Sequence, residues 1–109
     1  MSAATPSTEM LHLMSDRFRA LGEPARLQLL YTLQVREMSV NELVDETGFG
    51  QANVSKHLQT LYALGFVKRR KVGLFVYYAL CDRAVISLCN LVWRRVETQL
   101  EAQQRLLEA

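Results

Sequence analysis

Between Ser39 and Leu80 the spacing of apolar residues changes once, from helical to alternating, and that change limits the fold more than any other feature of the chain. Ser39-Val40-Asn41-Glu42 has the form of a capping box, in which hydroxyl and carboxylate each accept a hydrogen bond from a backbone N–H at a helix start. Leu43 and Val44 give that short helix its inner face, Gly48 suits the left-handed position that ends it, and Phe49-Gly50 completes a tight connection. A second helix starts near Gln51, with Val54, Leu58, Leu61 and Leu64 spaced by 4, 3 and 3 residues as one apolar stripe. After Gly65 the period shortens: Phe66 to Lys71 and Leu74 to Leu80 are rich in β-branched and aromatic residues, and Gly73 supplies the turn of a hairpin.

Two helices at a tight turn followed by a hairpin can lay one helix in the DNA major groove and a wing on the backbone beside it. Turned away from the stripe are Ala52, Ser55, Lys56, Gln59 and Thr60, with Gln51 and Asn53 on the first turn. These are hydrogen-bonding or small side chains plus one cation, the types that reach base edges and phosphates. The first hairpin strand carries Lys68, Arg69, Arg70 and Lys71. Four consecutive cations also suit a solvated edge strand guarded against aggregation. Charge distribution favours nucleic acid: no acidic residue lies between Glu46 and Asp82, a span with five basic ones, whereas the other 8 Lys and Arg stand against 11 Asp and Glu.

At 109 residues and 50% hydrophobic the chain holds one core. No apolar run is long enough to span a bilayer and Met1–Thr8 lacks the regions of a secretory signal, so a cytoplasmic protein with reduced thiols at Cys81 and Cys89 is expected. Residues 1–8 read as a flexible tail and 9–109 as one domain. Met10, Leu11, Met14, Phe18 and Leu21 form an amphipathic stripe ending at Gly22; Pro24 opens a further helix to about Val35, burying Leu27, Leu30, Tyr31 and Val35. Asp82 caps a long final helix whose seam of Cys89, Trp93, Val96, Leu100, Gln103 and Leu107 is heptad-like. One small core cannot cover so much apolar surface, which implies a homodimer through the first and last helices, with Met14, Phe18, Cys89, Trp93, Val96 and Leu100 at the interface. A last helix lying wholly on its own domain is the alternative.

The segments Leu21-Gly22-Glu23-Pro24-Ala25-Arg26-Leu27, Val54-Ser55-Lys56-His57-Leu58, Leu64-Gly65-Phe66-Val67 and Gly73 followed by Val76-Tyr77-Tyr78-Ala79-Leu80 resemble the ArsR/SmtB family of bacterial winged-helix repressors. The resemblance covers about residues 10 to 95. It implies a mainly α (α+β) winged helix-turn-helix, ordered α-α-α-α-β-β-α, that dimerises, represses promoters at palindromic operators in double-stranded DNA and lets go when an inducer binds. The family's metal sites are not matched: cysteine positions on the first helix of the helix-turn-helix hold Ser39, Asn41 and Val44, and the site on the last helix retains Asp82 without its histidine partners, Arg94, Arg95 and Glu97 standing further on. Two His and two Cys are few for a site that needs three or four converging ligands, so no metal or cofactor is expected. The inducer is therefore unknown.

The remaining candidates divide by chemistry. His57 stands where the family motif has a histidine and either touches phosphate or supports its helix, while His12 reads as a surface residue. Cys81 and Cys89 are candidate redox sensors. On one helix they would be about 12 Å apart along the axis, too far for an intrachain disulfide, whereas Cys89 could meet its twofold mate and a helix N-terminus could activate Cys81; packing alone is the competing role. The wing tip, Val72-Gly73-Leu74-Phe75, is apolar where the family often carries charge. No nucleophile, base and orienting group fall together and no Gly-rich phosphate loop is present, which argues against an enzyme. A winged-helix protein-interaction module is the competing binding class.

Overall fold

A computed structural model describes residues 4–108. Helix α1 (Thr8–Leu21) begins where the Ser7 hydroxyl accepts a hydrogen bond from the Met10 N–H at 3.1 Å, one residue inside the stretch expected to be a tail. Met1, Ser2 and Ala3 of that expected tail lie outside the described residues. Glu23 caps α2 (Pro24–Leu33) through its carboxylate, which accepts from the Ala25 N–H, and Pro24 occupies the first turn, where no backbone donor is needed.

Helix α2 ends at Leu33, two residues short of the expectation, and Val35 is 75% exposed instead of buried. The residues it buries most deeply are Leu29, Leu30 and Leu33, while Leu27 and Tyr31 are half-buried at the edge of the core. The chain then makes a two-residue strand that the sequence reading missed, β1 (Met38–Ser39). Helix α3 (Val40–Thr47) follows at once with both arms of its capping box present: Ser39 Oγ accepts from the Glu42 N–H at 3.2 Å and Glu42 Oε1 accepts from the Ser39 N–H at 3.0 Å. Gly48 closes it at φ +75°, a left-handed conformation that a side chain would oppose.

Helix α4 (Gln51–Ala63) starts from Gly50 without a side-chain cap. It ends with the Phe66 N–H reaching back to the Leu61 carbonyl at 2.9 Å, which ties Phe66 to the helix end and delays the next strand by one residue. The hairpin therefore consists of β2 (Val67–Val72) and β3 (Phe75–Leu80), paired antiparallel from Val67↔Leu80 to Val72↔Phe75, with Leu74 in the turn and not in the strand. Because β1 pairs with β3 on its other side, the sheet has order β1-β3-β2 and the element order is α-α-β-α-α-β-β-α rather than α-α-α-α-β-β-α.

Asp82 Oδ1 accepts from the Ala84 N–H at 2.7 Å at the start of α5 (Ala84–Glu108). Of its 25 residues only Val85 and Ile86 are buried, joining Leu21, Met38, Leu43, Val54, Leu58, Leu61, Val67 and Tyr78 in one core. The helix is about 37 Å long at 1.5 Å per residue, and past the half-buried Cys89 and Asn90 its residues are exposed.

Candidate nucleic-acid interface

Helix α4 is anchored by Val54, Leu58 and Leu61, each with no accessible surface, and its opposite face is consequently fixed in solvent. Gln51, Ala52, Asn53, Lys56 and Gln59 are exposed there, and Ser55 and Thr60 are half-buried beside them. The Thr60 hydroxyl donates to the Lys56 carbonyl at 3.3 Å, so part of its capacity is used within the helix. His57 is turned the other way: its Nδ1 lies 3.3 Å from Arg26 Nη1, and Arg26 Nε donates to the Ala20 carbonyl at 2.6 Å. Because a guanidinium has donors only, this contact requires Nδ1 to be the lone-pair nitrogen. His57 thus braces α4 against α2 and the end of α1.

The wing carries its four cations on an edge strand, all exposed. Strand alternation separates them: Arg69 and Lys71 lie on one face, Lys68 and Arg70 on the other. The Arg69 guanidinium stacks 4.0 Å from the ring centroid of Tyr62 on α4, a cation–π contact that joins the base of the wing to the exposed helix. Arg70 instead grips Glu37 with a guanidinium fork, Nε lying 3.1 and 3.0 Å from the two carboxylate oxygens while Nη2 donates to Oε1, and it also overlies Tyr77. The Arg70 hydrogen bond holds the Glu37 carboxyl below the usual carboxylate range. Likewise the Ser39 N–H, aided by Arg36, lowers that of Glu42.

Glu37, Tyr62 and Arg26 are the residues that sequence reasoning missed. Glu37 lies 33 positions from Arg70 and meets it only because β1 brings the following residue to the sheet, so spacing could not reveal the pair. Tyr62 is an exposed aromatic on α4 six residues before a block of cations, which is a usable hint for stacking.

The remaining candidates occupy a separate surface. Phe18 and Trp93 are each 55% exposed, and Met14, Val96 and Leu100 are exposed as well. Phe18, Leu21, Leu27, Tyr31, Cys89 and Trp93 line an apolar groove between α1, α2 and α5. Trp93 meets Tyr31 edge-to-face at 5.7 Å, and the Tyr31 hydroxyl donates to Asn90 Oδ1 at 2.8 Å. Cys89 is half-buried and burial pushes its thiol up, away from the reactive thiolate. Cys81 is exposed at the junction before α5, in a different groove that includes Arg17 and Asp82. His12 is exposed on α1. Among the described residues no three His, Cys, Asp or Glu side chains converge as a metal site requires. No described helix is long and apolar enough to cross a membrane.

Comparison with known proteins agrees with this geometry. The family of bacterial regulatory proteins described as the arsR family matches residues 23–69. The HTH-type transcriptional regulator KmtR of Mycobacterium tuberculosis is 40% identical over 70% of this chain, a match that spans 58% of that regulator, less than two thirds of its length. An uncharacterized HTH-type transcriptional regulator of Methanocaldococcus jannaschii, MJ1325, is 37% identical over 72% of this chain and 89% of its own length. The solution structure of a homodimeric winged helix-turn-helix DNA-binding domain from Mycobacterium bovis, a possible ArsR-family transcriptional regulator, superposes with a TM-score of 0.78 at 28% identity, covering 94% of this chain and 95% of that one. By these matches, the chain belongs to the arsR family of bacterial transcriptional regulators.

Proposed function

We propose that this protein is a cytoplasmic, dimeric transcriptional repressor that binds palindromic operators in double-stranded DNA and is not an enzyme. The observation that carries the reading is the exposed polar face of α4 continued by the wing cations through the Arg69–Tyr62 stack, on a span without acidic residues. Gln51, Asn53, Ser55 and Gln59 supply base and positioning contacts, while Lys56, Lys68, Arg69 and Lys71 neutralise phosphates, Arg70 being held by Glu37. The uncovered apolar faces of α1 and α5 support a twofold dimer, which would present two α4 helices to half-sites one helical turn, about 34 Å, or a multiple of it apart.

The test pairs a salt series with a sedimentation measurement. Replacing Arg69 and Lys71 with Ala should weaken binding to specific and random duplexes alike and flatten the plot of log K against log salt by about 0.9 for each phosphate no longer neutralised. Trp93→Glu should produce monomers that bind the operator poorly. A monomeric variant with full affinity would contradict the dimer, and an unchanged salt slope would remove the wing from the DNA interface.

Release by thiol chemistry is a second reading, favoured by the exposure of Cys81 at the foot of α5. Modification there would bear on the angle between the two α4 helices of a dimer, which a pair of fixed half-sites tolerates poorly. Equal operator affinity before and after peroxide or persulfide treatment would reject it.

A further inference from the structure

The wing tip is apolar and largely exposed. Val72↔Phe75 is the last pair of the hairpin, so its loop is Gly73-Leu74; Gly73 has φ +61° and no described non-glycine residue has positive φ, which makes the loop a type II′ turn with Leu74 second. That second position asks for no apolar residue. Leu74 is nevertheless 95% exposed, with Phe75 at 54% and Val72 at 45%, giving a small apolar point at the end of a strand of four cations. Neither the turn nor the core accounts for it.

Resting on the DNA reading above, we propose that Leu74 and Phe75 form an apolar wedge that enters the minor groove of operator DNA next to the major groove occupied by α4. Reach supports this occupant: five strand steps of about 3.3 Å carry the tip about 17 Å from Val67, and the minor groove is centred half a turn, about 17 Å, along the duplex from the major groove. Electrostatics supports it too. Lys71 and Arg69 lie on the α4 side of the same strand, so phosphates flanking the groove meet cations while the uncharged tip passes between them. The interface is continuous, since the Arg69–Tyr62 stack fixes the base of the hairpin to α4. Leucine and phenylalanine are the residue types that lodge between base steps from the minor-groove side, opening the step and bending the duplex toward the major groove. Such insertion adds affinity without displacing counterions.

The experiment uses the full chain and a duplex of about three helical turns, selected by the wild-type protein from a random pool, with 2-aminopurine replacing single adenines. A Leu74→Asn, Phe75→Thr variant keeps residues that a II′ turn and a strand accept, and Leu74→Met keeps the wedge. The double variant should bind about tenfold more weakly at every salt concentration with an unchanged salt slope, and Leu74→Met should bind as the wild type does. Wild-type protein, but not the double variant, should brighten the 2-aminopurine at the opened step. Coincident binding lines for wild type and double variant, with no brightening, would overturn the wedge while leaving the DNA reading intact. So would a tip that matters only for attachment to vesicles containing anionic lipid. If the wild-type protein selects and binds no duplex, the DNA reading itself fails and the wedge with it.

Discussion

Removing the charge of Glu37 should strengthen DNA binding. In the free protein the Glu37 carboxylate occupies the donors of Arg70 that a phosphate would need, so one of the four wing cations is neutralised within its own protomer. Glu37→Gln retains the shape and removes the charge, freeing one guanidinium per protomer and two in the proposed dimer. Each additional phosphate neutralised steepens the slope of log K against log salt by about 0.9, so the dimer should gain about 1.8. Between about 50 and 200 mM salt that difference amounts to about a tenfold steeper loss of affinity, with the gain expressed at the low-salt end. The assay is fluorescence anisotropy on one duplex over a salt series, with Arg70→Ala made in both backgrounds. Arg70→Ala should change the slope little when Glu37 is present and flatten it when Glu37 is Gln. Thermal stability should barely move, because an exposed ion pair contributes little. The sign with pH follows from the lowered Glu37 pKa: the pair is intact above the ordinary carboxylate range and is lost only as pH falls through the depressed value, so neutral pH does not release Arg70. Identical slopes and affinities for wild type and Glu37→Gln would refute the argument, showing that Arg70 either leaves Glu37 freely or never faces the duplex.

Ser39→Ala removes the accepting hydroxyl of a buried cap and should cost about 1 kcal/mol, read as a lower denaturant midpoint at constant m-value; an unmoved midpoint would show the cap to be dispensable. Leu58→Ala truncates a side chain with no accessible surface where α4 meets the core and should cost about 2–5 kcal/mol, a large share of the stability of a small domain; a loss under about 1 kcal/mol would mean that the site collapses around the gap. With iodoacetamide near neutral pH, mass spectrometry should find Cys81 alkylated before Cys89. Burial raises the Cys89 pKa, so its thiolate fraction is smaller at a given pH and its labelling should accelerate only on the alkaline side; the reverse order would contradict the assigned environments.

What can be read from the chain alone are features whose cause is local. The Ser39–Glu42 box, Gly48 and Gly73 each mark a boundary through the conformation of a few neighbouring residues, and the 4-3-3 stripe of α4 states which face is inward. The features that escape depend on residues far apart. β1 is two residues long, below any periodicity, and exists only because Tyr77 and Tyr78 lie opposite it. Pattern places Val35 inside because it continues the apolar run of α2, yet the helix ends at Leu33 and the chain must turn toward the sheet. In the candidate interface, exposure of the α4 face is legible from its polar residues, whereas the division of the wing cations between Tyr62 and Glu37 follows from sheet register and from a strand invisible to pattern.

Ser39 belongs to two structures at once: its backbone pairs with Tyr77 in the sheet and its hydroxyl starts α3. Wing and helix-turn-helix therefore share a joint with no slack, closed a second time where Arg69 lies on Tyr62. A regulator jointed this way has few internal degrees of freedom with which to signal. A swing of the wing would disturb strand pairing at the residue that also caps α3, so in the proposed dimer the cheaper motion is rotation of each whole reading head relative to its mate. In that proposed dimer, a ligand or modification acting at a distance would be expressed as a change in the spacing between the two heads, and not as a change in how either one grips its own half-site.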